Sequence, residues 1–228
     1  MKHLTLSVEQ LREIDRRCVE QFGIPTLLLM ENAGSRAADV AEQMSTQGTP
    51  IVCICGVGSN GGDGFVATRH LANKGFSVRV ILIGQVSALQ PTSAPFINFQ
   101  VIRRMGVPAL HILNDADVGQ IEKELRGAGL VIDALCGIGL KGELRPLQQS
   151  CIKLVNECKR KVLAVDVPSG LDADTGRPLP VAIKATKTVT FIANKKGFTE
   201  PSAKEYTGEV IVADIGVPYN LLKEYEGA

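Results

Sequence analysis

Residues 51–64 of this chain read IVCICGVGSNGGDG. An apolar, β-branched run stops at Gly56, a glycine-dense turn carrying Asn60 and Asp63 follows, and an amphipathic stretch, Phe65–Lys74, comes next. The order predicts strand, glycine loop and helix start. Such a unit cradles an anion, because glycines let backbone N–H groups come close and the helix dipole favours negative charge. It also commits the chain to an α/β fold, since a fully apolar strand must be covered on both faces.

The rest of the sequence repeats that alternation. Strands are expected at Ile51–Cys55, Ser77–Ile83, Val131–Ala134, Val162–Val165, Thr188–Ile192 and Val210–Ala213. Helices are expected at Phe65–Lys74, Phe96–Met105, Val118–Leu125 and Leu147–Lys159. A mostly parallel sheet between helical layers follows, as one domain over residues 1–228. Two helices precede the alternation. Ser7 caps the first with Gln10 as its capping-box partner, and Pro25 opens the second, Thr26–Met44. Lying outside the alternation, they are expected to cover a sheet face or a partner. Leu221–Ala228 reads as a ragged tail.

Composition narrows the function classes. Apolar residues make up 45 % and charged residues 21 %, with a net charge of +1 and no basic stripe, which speaks against a general nucleic-acid binder. No apolar run approaches the ~18 residues that span a bilayer, and the N-terminus lacks a signal-peptide core. The six cysteines include no CxxC pair, and His3, His70 and His111 have no ligand spacing to any of them. They read as small buried hydrophobes of a reducing compartment, so a cytoplasmic location is expected.

Ligands of such sheets bind beyond the C-terminal strand ends. Three loops there carry polar residues and glycines. In the first, GVGSNG is a literal GxGxxG, but a dinucleotide dehydrogenase would place an acid after the next strand, and no Asp or Glu occurs between Gly64 and Asn114. No Lys-Ser/Thr pair follows the glycines, so the loop is not a Walker motif. The second, VIDALCGIGLKGELR, sets Asp133 at a strand end with Lys141 among glycines. In the third, AVDVPSGLDADTG, Asp166 and Ser169 stand three residues apart. Ser169 lacks a GxSxG setting and a neighbouring histidine, against a hydrolase nucleophile. Asp172 and Asp174 read as a surface turn.

GSNGGDG, DALCGIGLKGELR and VDVPSGLDADTG, in this order, resemble the loops of the NAD(P)H-hydrate epimerase family. The segments LLLMENAG and TVTFIANKKGF look like that family too, and the resemblance runs from about Ser7 to Pro218. It implies a Rossmann-like three-layer α/β/α sandwich that interconverts the R and S forms of NADHX and NADPHX, the hydrated, damaged cofactors. It further implies one potassium ion per subunit, a homodimer, and a functional link to an ADP- or ATP-dependent dehydratase that takes the S form. The chain reads as the epimerase domain standing alone.

By the same resemblance the ligand-binding run NNxGD falls on Ser59, Asn60, Gly61, Gly62 and Asp63, with Ser59 where Asn is usual. A second substrate loop falls on Gly137, Ile138, Gly139, Leu140, Lys141, Gly142 and Glu143, and Asp166 contacts substrate. Asn60, Asp133 and Ser169 are implied as potassium ligands, an all-oxygen set that suits a hard cation. Epimerisation at a carbon bearing a hydroxyl beside a ring nitrogen needs acid–base work, through an iminium or a ring-opened aldehyde. Asp166 and then Lys141 are the expected catalytic residues, with Asp63 a third candidate. The alternative from another class is a catalytically silent module that binds ADP-ribose-like nucleotides or a partner.

Overall fold

The computed structural model describes residues 4–139 and 142–226. A short strand, β1 (Thr5–Leu6), leads into α1 (Val8–Glu20) and α2 (Thr26–Met44). Then β2 (Ile51–Cys55), α3 (Ser59–Asn73), β3 (Val78–Ile83), α4 (Ala94–Arg104), β4 (Ala109–Ile112), α5 (Val118–Gly127), β5 (Leu130–Ala134), α6 (Pro146–Glu157) and β6 (Lys161–Val165) follow in turn. A long loop carries the chain to β7 (Lys187–Phe191) and β8 (Asn194–Lys195), and α7 (Lys204–Thr207), β9 (Glu209–Ala213) and α8 (Tyr219–Lys223) complete it.

Seven strands form one wholly parallel sheet in the order β4-β3-β2-β5-β6-β7-β9. Every residue of β2 and β5 is buried, as a strand covered on both faces requires. The period-two alternation splits β2 between two cores. Ile51, Cys53 and Cys55 pack with α1–α4, whereas Val52 and Ile54 pack with α5 and α6. Chain order runs outward from β2 to β3 and β4, then restarts from β5 on the other side. The junction of β2 and β5 is therefore a topological switch point, where such sheets open a crevice.

The expected Rossmann-like three-layer α/β/α sandwich is the fold observed, and the two leading helices complete one layer. α2 presents Ala33, Gly34, Ala37, Ala38 and Ala41 to the core, all buried. A side chain at Gly34 would collide with Val66 of α3, so the two helices cross there almost backbone to side chain.

Four expectations change. α3 begins at Ser59, not Phe65, so Gly61, Gly62 and Gly64 belong to its first turns. Glycine disfavours helix by about 1 kcal/mol per residue, which is why the sequence reads as loop; close packing against the sheet overrides that preference. Ile192 lies outside β7, in a left-handed turn with φ +71°. β4 was not expected, because its sequence ALHI lacks a β-branched run. The described part of the tail, through Glu226, is packed: Leu221 is fully buried and Glu224 pairs with Arg17 of α1 at 2.7 Å.

Candidate active site

The glycines around the switch point are there because backbones meet. Gly56 N–H donates to Ala134 C=O at 3.1 Å, tying the ends of β2 and β5 together. A Cβ on Gly56 would stand 2.1 Å from the Leu135 carbonyl oxygen, and one on Gly61 would stand 1.9 Å from that of Gly56. The first turn of α3 is thereby pressed onto the mouth of the crevice. Its N-cap is Gly58, without a side-chain cap, so the leading N–H groups of α3 remain available to a ligand anion.

A cavity of about 950 Å³ opens here, bordered by Gly58, Ser59, Asn60 and Asp63 of the first loop. Gly137, Ile138, Gly139 and Glu143 border it from the second, and Asp166 from the third. Gly61 and Gly62 are buried and do not border it; Gly62 lies against Met30. Gly142, in a positive-φ turn at +77°, does not border it either. Leu140 and Lys141, the second expected catalytic residue included, lie outside the described residues.

Behind the glycine loops sits a buried knot of oxygen ligands. Asp133 is 1 % exposed and Ser169 fully buried. Ser169 donates from its backbone N–H to Asp133 Oδ2 at 2.8 Å and from its hydroxyl to Oδ1 at 2.6 Å. Cys136 N–H donates to Ser169 Oγ at 2.8 Å, which brings the second loop onto the same pair. Burial pushes Asp133 up to about 6, against the hydrogen bonds from Ser169 and Leu135. Asn60 packs beside Gly137, where a Cβ would stand 3.2 Å away, and its buried amide oxygen and nitrogen have no partner among the described residues. An orphaned amide oxygen is costly to bury. The Asn60 oxygen thus lacks a donor, and with the oxygens of Asp133 and Ser169 it makes a set of the kind that fits a hard cation. Among the described residues no three His, Cys, Asp or Glu side chains cluster as a site for a softer metal.

The opposite wall carries an ion pair that sequence reasoning missed. Lys195 is 2 % exposed, and its Nζ lies 2.8 Å from Asp166 Oδ1 while donating to the Phe191 carbonyl at 3.1 Å. Thr190 Oγ1 donates to the same carboxylate oxygen at 3.4 Å. Asp166 itself has φ +64°, and Val167 N–H donates to Val165 C=O at 2.8 Å across it. The adjacent strand β7 ends the same way, with Ala193 N–H donating to Phe191 C=O at 2.8 Å around Ile192. Such three-residue turns with positive φ are rare and strained, and strain of this kind gathers at functional sites. The only sequence signal for Lys195 was its place in TVTFIANKKGF, a segment that pattern and periodicity read simply as a strand followed by a turn.

Asp63 faces this pair. Burial, then the Asp166 and Asp15 carboxylates, push its carboxyl well above the ordinary range. Asp15 of α1 was likewise unexpected; it borders the cavity together with Leu11 one turn earlier. The two acids read as a surface turn do structural work: Asp172 accepts from the N–H groups of Asp174 and Thr175, and Asp174 Oδ1 accepts from Val8 N–H at the start of α1.

Comparison with known proteins identifies the family. The family model for the YjeF-related protein N-terminus matches residues 26–197. An NAD(P)H-hydrate epimerase of Limosilactobacillus fermentum is 37 % identical, the match covering 94 % of this chain and 98 % of that protein. One from Rhodopirellula baltica is 34 % identical over 96 % of this chain and 87 % of its own. The bifunctional NAD(P)H-hydrate repair enzyme Nnr of Moorella thermoacetica is 36 % identical over 95 % of this chain, which spans 41 % of that longer protein. Among solved structures, yeast YNL200c shares the fold with a TM-score of 0.83 at 23 % identity, over 97 % of this chain and 93 % of that one. The chain belongs to the YjeF-related N-terminal family, the family of the NAD(P)H-hydrate epimerases.

Proposed function

We propose that this chain is an NAD(P)H-hydrate epimerase, interconverting the R and S forms of NADHX and NADPHX. One observation carries the reading: the α3 N-terminus, Asn60 with its unpartnered amide, and the Asp166–Lys195 pair all border one switch-point crevice. The first suits a pyrophosphate, the second a cation beside it, and the third stabilisation of charge developing at the far wall. Full-length similarity to proteins named NAD(P)H-hydrate epimerase supports the same substrate.

In this reading Asn60, Asp133 and Ser169 hold a potassium ion, which would neutralise phosphate charge when bound. The N–H groups of Ser59 and Asn60 and the Ser59 hydroxyl receive the ligand's phosphates. Gly137–Gly139 lie along it, with Arg145 a further cation at the cavity wall. Asp166, oriented by Lys195 and Thr190, stands as the carboxylate that stabilises positive charge developing on the ring nitrogen.

A homodimer fits the exposed apolar side chains Val19, Phe22, Leu27 and Leu28 on and between α1 and α2. A cytoplasmic setting fits six free cysteines, five of them buried. A dehydratase acting on the S epimer is the expected functional partner, given bifunctional repair enzymes among the relatives. The test is incubation with purified R hydrate and chromatographic separation of the epimers over time. Conversion faster than the spontaneous rate supports an epimerase, whereas tight binding without conversion supports a silent nucleotide-binding module.

A further inference from the structure

α1 stands at the cavity mouth, fastened to the site at several points. β1, just before it, pairs with β8 in the register Leu6↔Lys195, beside the buried lysine. Val8 N–H donates to Asp174 of the third loop at 2.8 Å, and Arg12 donates to the Ile138 carbonyl of the second at 2.7 Å. Leu11, Ile14 and Cys18 bury one face of the helix in the core. Asp15, one turn after Leu11, is thereby held over the crevice.

The buried carboxylates of the site are committed. Asp133 is held by Ser169, and Asp166 is paired with Lys195. Asp63 lies deeper, in the first turns of α3. Of the exposed carboxylates that border the cavity, Asp15, Asp115 and Glu143, Asp15 is the one set beside the Asp166–Lys195 pair. Among the described residues it has no hydrogen-bonding or ion-pair partner; it senses Asp166 and Lys195 only through space. The charged groups around it are Asp63 from α3, Asp166 from the β6 end and Lys195 from β8. On α1 itself, Arg12 is turned to Ile138 and Arg16 to Glu13 and Glu20.

On the epimerase reading above, we propose that Asp15 is the proton donor and acceptor of the reaction. The C–O bond of the hydrate breaks, its electron pair leaves with the oxygen, and Asp15 gives that oxygen a proton, so that water departs. The ring-nitrogen lone pair closes the C=N bond of a planar iminium, whose charge faces Asp166. The ring turns about its bond to the ribose and presents its other face to Asp15; water adds there, the π pair returns to nitrogen, and the proton returns to Asp15. Nothing is consumed. The protein crowding the crevice, and then the Asp166 carboxylate, push Asp15 up to about 6, against the pull of Lys195. A donor with a pKa near the working pH is the effective kind, and its solvent contact lets it reload between turnovers.

Asp15→Asn and Asp15→Glu test this with R hydrate as substrate, reading kcat, KM and the pH profile in potassium buffer. Asn at this exposed helix position leaves the thermal melt intact. The expected result is a fall in kcat of about 100-fold or more with little change in KM. The decline of wild-type kcat as pH rises above about 6 is lost in Asp15→Asn, and Asp15→Glu recovers part of the rate. Turnover within about threefold of wild type, or a loss confined to KM, overturns the assignment while the epimerase reading stands. A wild-type protein no faster than spontaneous epimerisation overturns both.

Discussion

Lys195 Nζ meets Asp166 Oδ1 at 2.8 Å, yet the two residues come from different strands and are both largely withdrawn from solvent. Each is delivered by a strained turn at a strand end, Asp166 by its own turn after β6 and Lys195 by the one centred on Ile192 after β7. Removing one partner leaves the other charge buried without compensation. Lys195→Met is expected to destabilise the protein by about 3 kcal/mol and to abolish most epimerisation. The double variant with Asp166→Asn should lose less than the sum of the two single losses. Denaturant melts of all four proteins measure the coupling; strict additivity would mean that the pair is not an interacting unit.

The left-handed backbone at Asp166 separates its chemical role from its conformational one. A side chain other than Asn or Asp pays about 1 kcal/mol or more to sit there. Asp166→Gly is therefore expected to be more stable than Asp166→Ala by about 1 kcal/mol, although both lose the carboxylate. Both should lose turnover by 100-fold or more. Equal stabilities in urea melts would contradict the backbone argument, and near-wild-type turnover would remove Asp166 from the mechanism.

In α3 the intrinsic preference and the packing point opposite ways. Gly61→Ala improves helix propensity by about 1 kcal/mol. The new methyl, however, would enter the Gly56 carbonyl oxygen, 1.9 Å from the ideal Cβ position. The expectation is a net loss of about 2 kcal/mol or more, with binding weakened as the α3 N-terminus is pushed from the crevice. Gly58→Ala, whose Cβ meets nothing within 4 Å, serves as the contrast. A Gly61→Ala protein as stable as wild type would show that the contact relaxes freely.

These same residues show what a sequence conveys and what it hides. The six expected strands all form, because buried parallel strands are written as unbroken runs such as IVCIC and LVIDA. α2 begins and ends where Pro25 and Ser45 imply. Asn60 and Asp166 border one cavity, and Asp133 and Ser169 are bonded to each other behind it, since strand order brings the ends of β2, β5 and β6 side by side. Lys195 and Asp15 stayed hidden because they arrive from outside that pattern. One follows a turn that no local propensity favours; the other sits on a helix whose periodicity reports only its buried face. The start of α3 was misplaced because glycine spacing reads alike for an open loop and a tightly packed helix.

The orphaned Asn60 amide makes the cation testable. Activity of the wild-type protein should rise with added potassium and less, or not at all, with sodium. Asn60→Ala is expected to raise the potassium concentration needed for half-maximal rate by about tenfold or more. It should also erase the rise in melting temperature that potassium produces in the wild-type protein. Indifference of rate and melting temperature to both ions would remove the cation from the account.

Epimer interconversion itself is the most direct measurement. Pure R and pure S hydrates of NADH, each incubated with the protein in potassium buffer, should reach the same mixture at a rate proportional to protein concentration, and Asp166→Asn should slow both approaches about equally. If both hydrates drift only at their spontaneous rates whatever the protein concentration, the crevice binds without catalysing and the central claim fails.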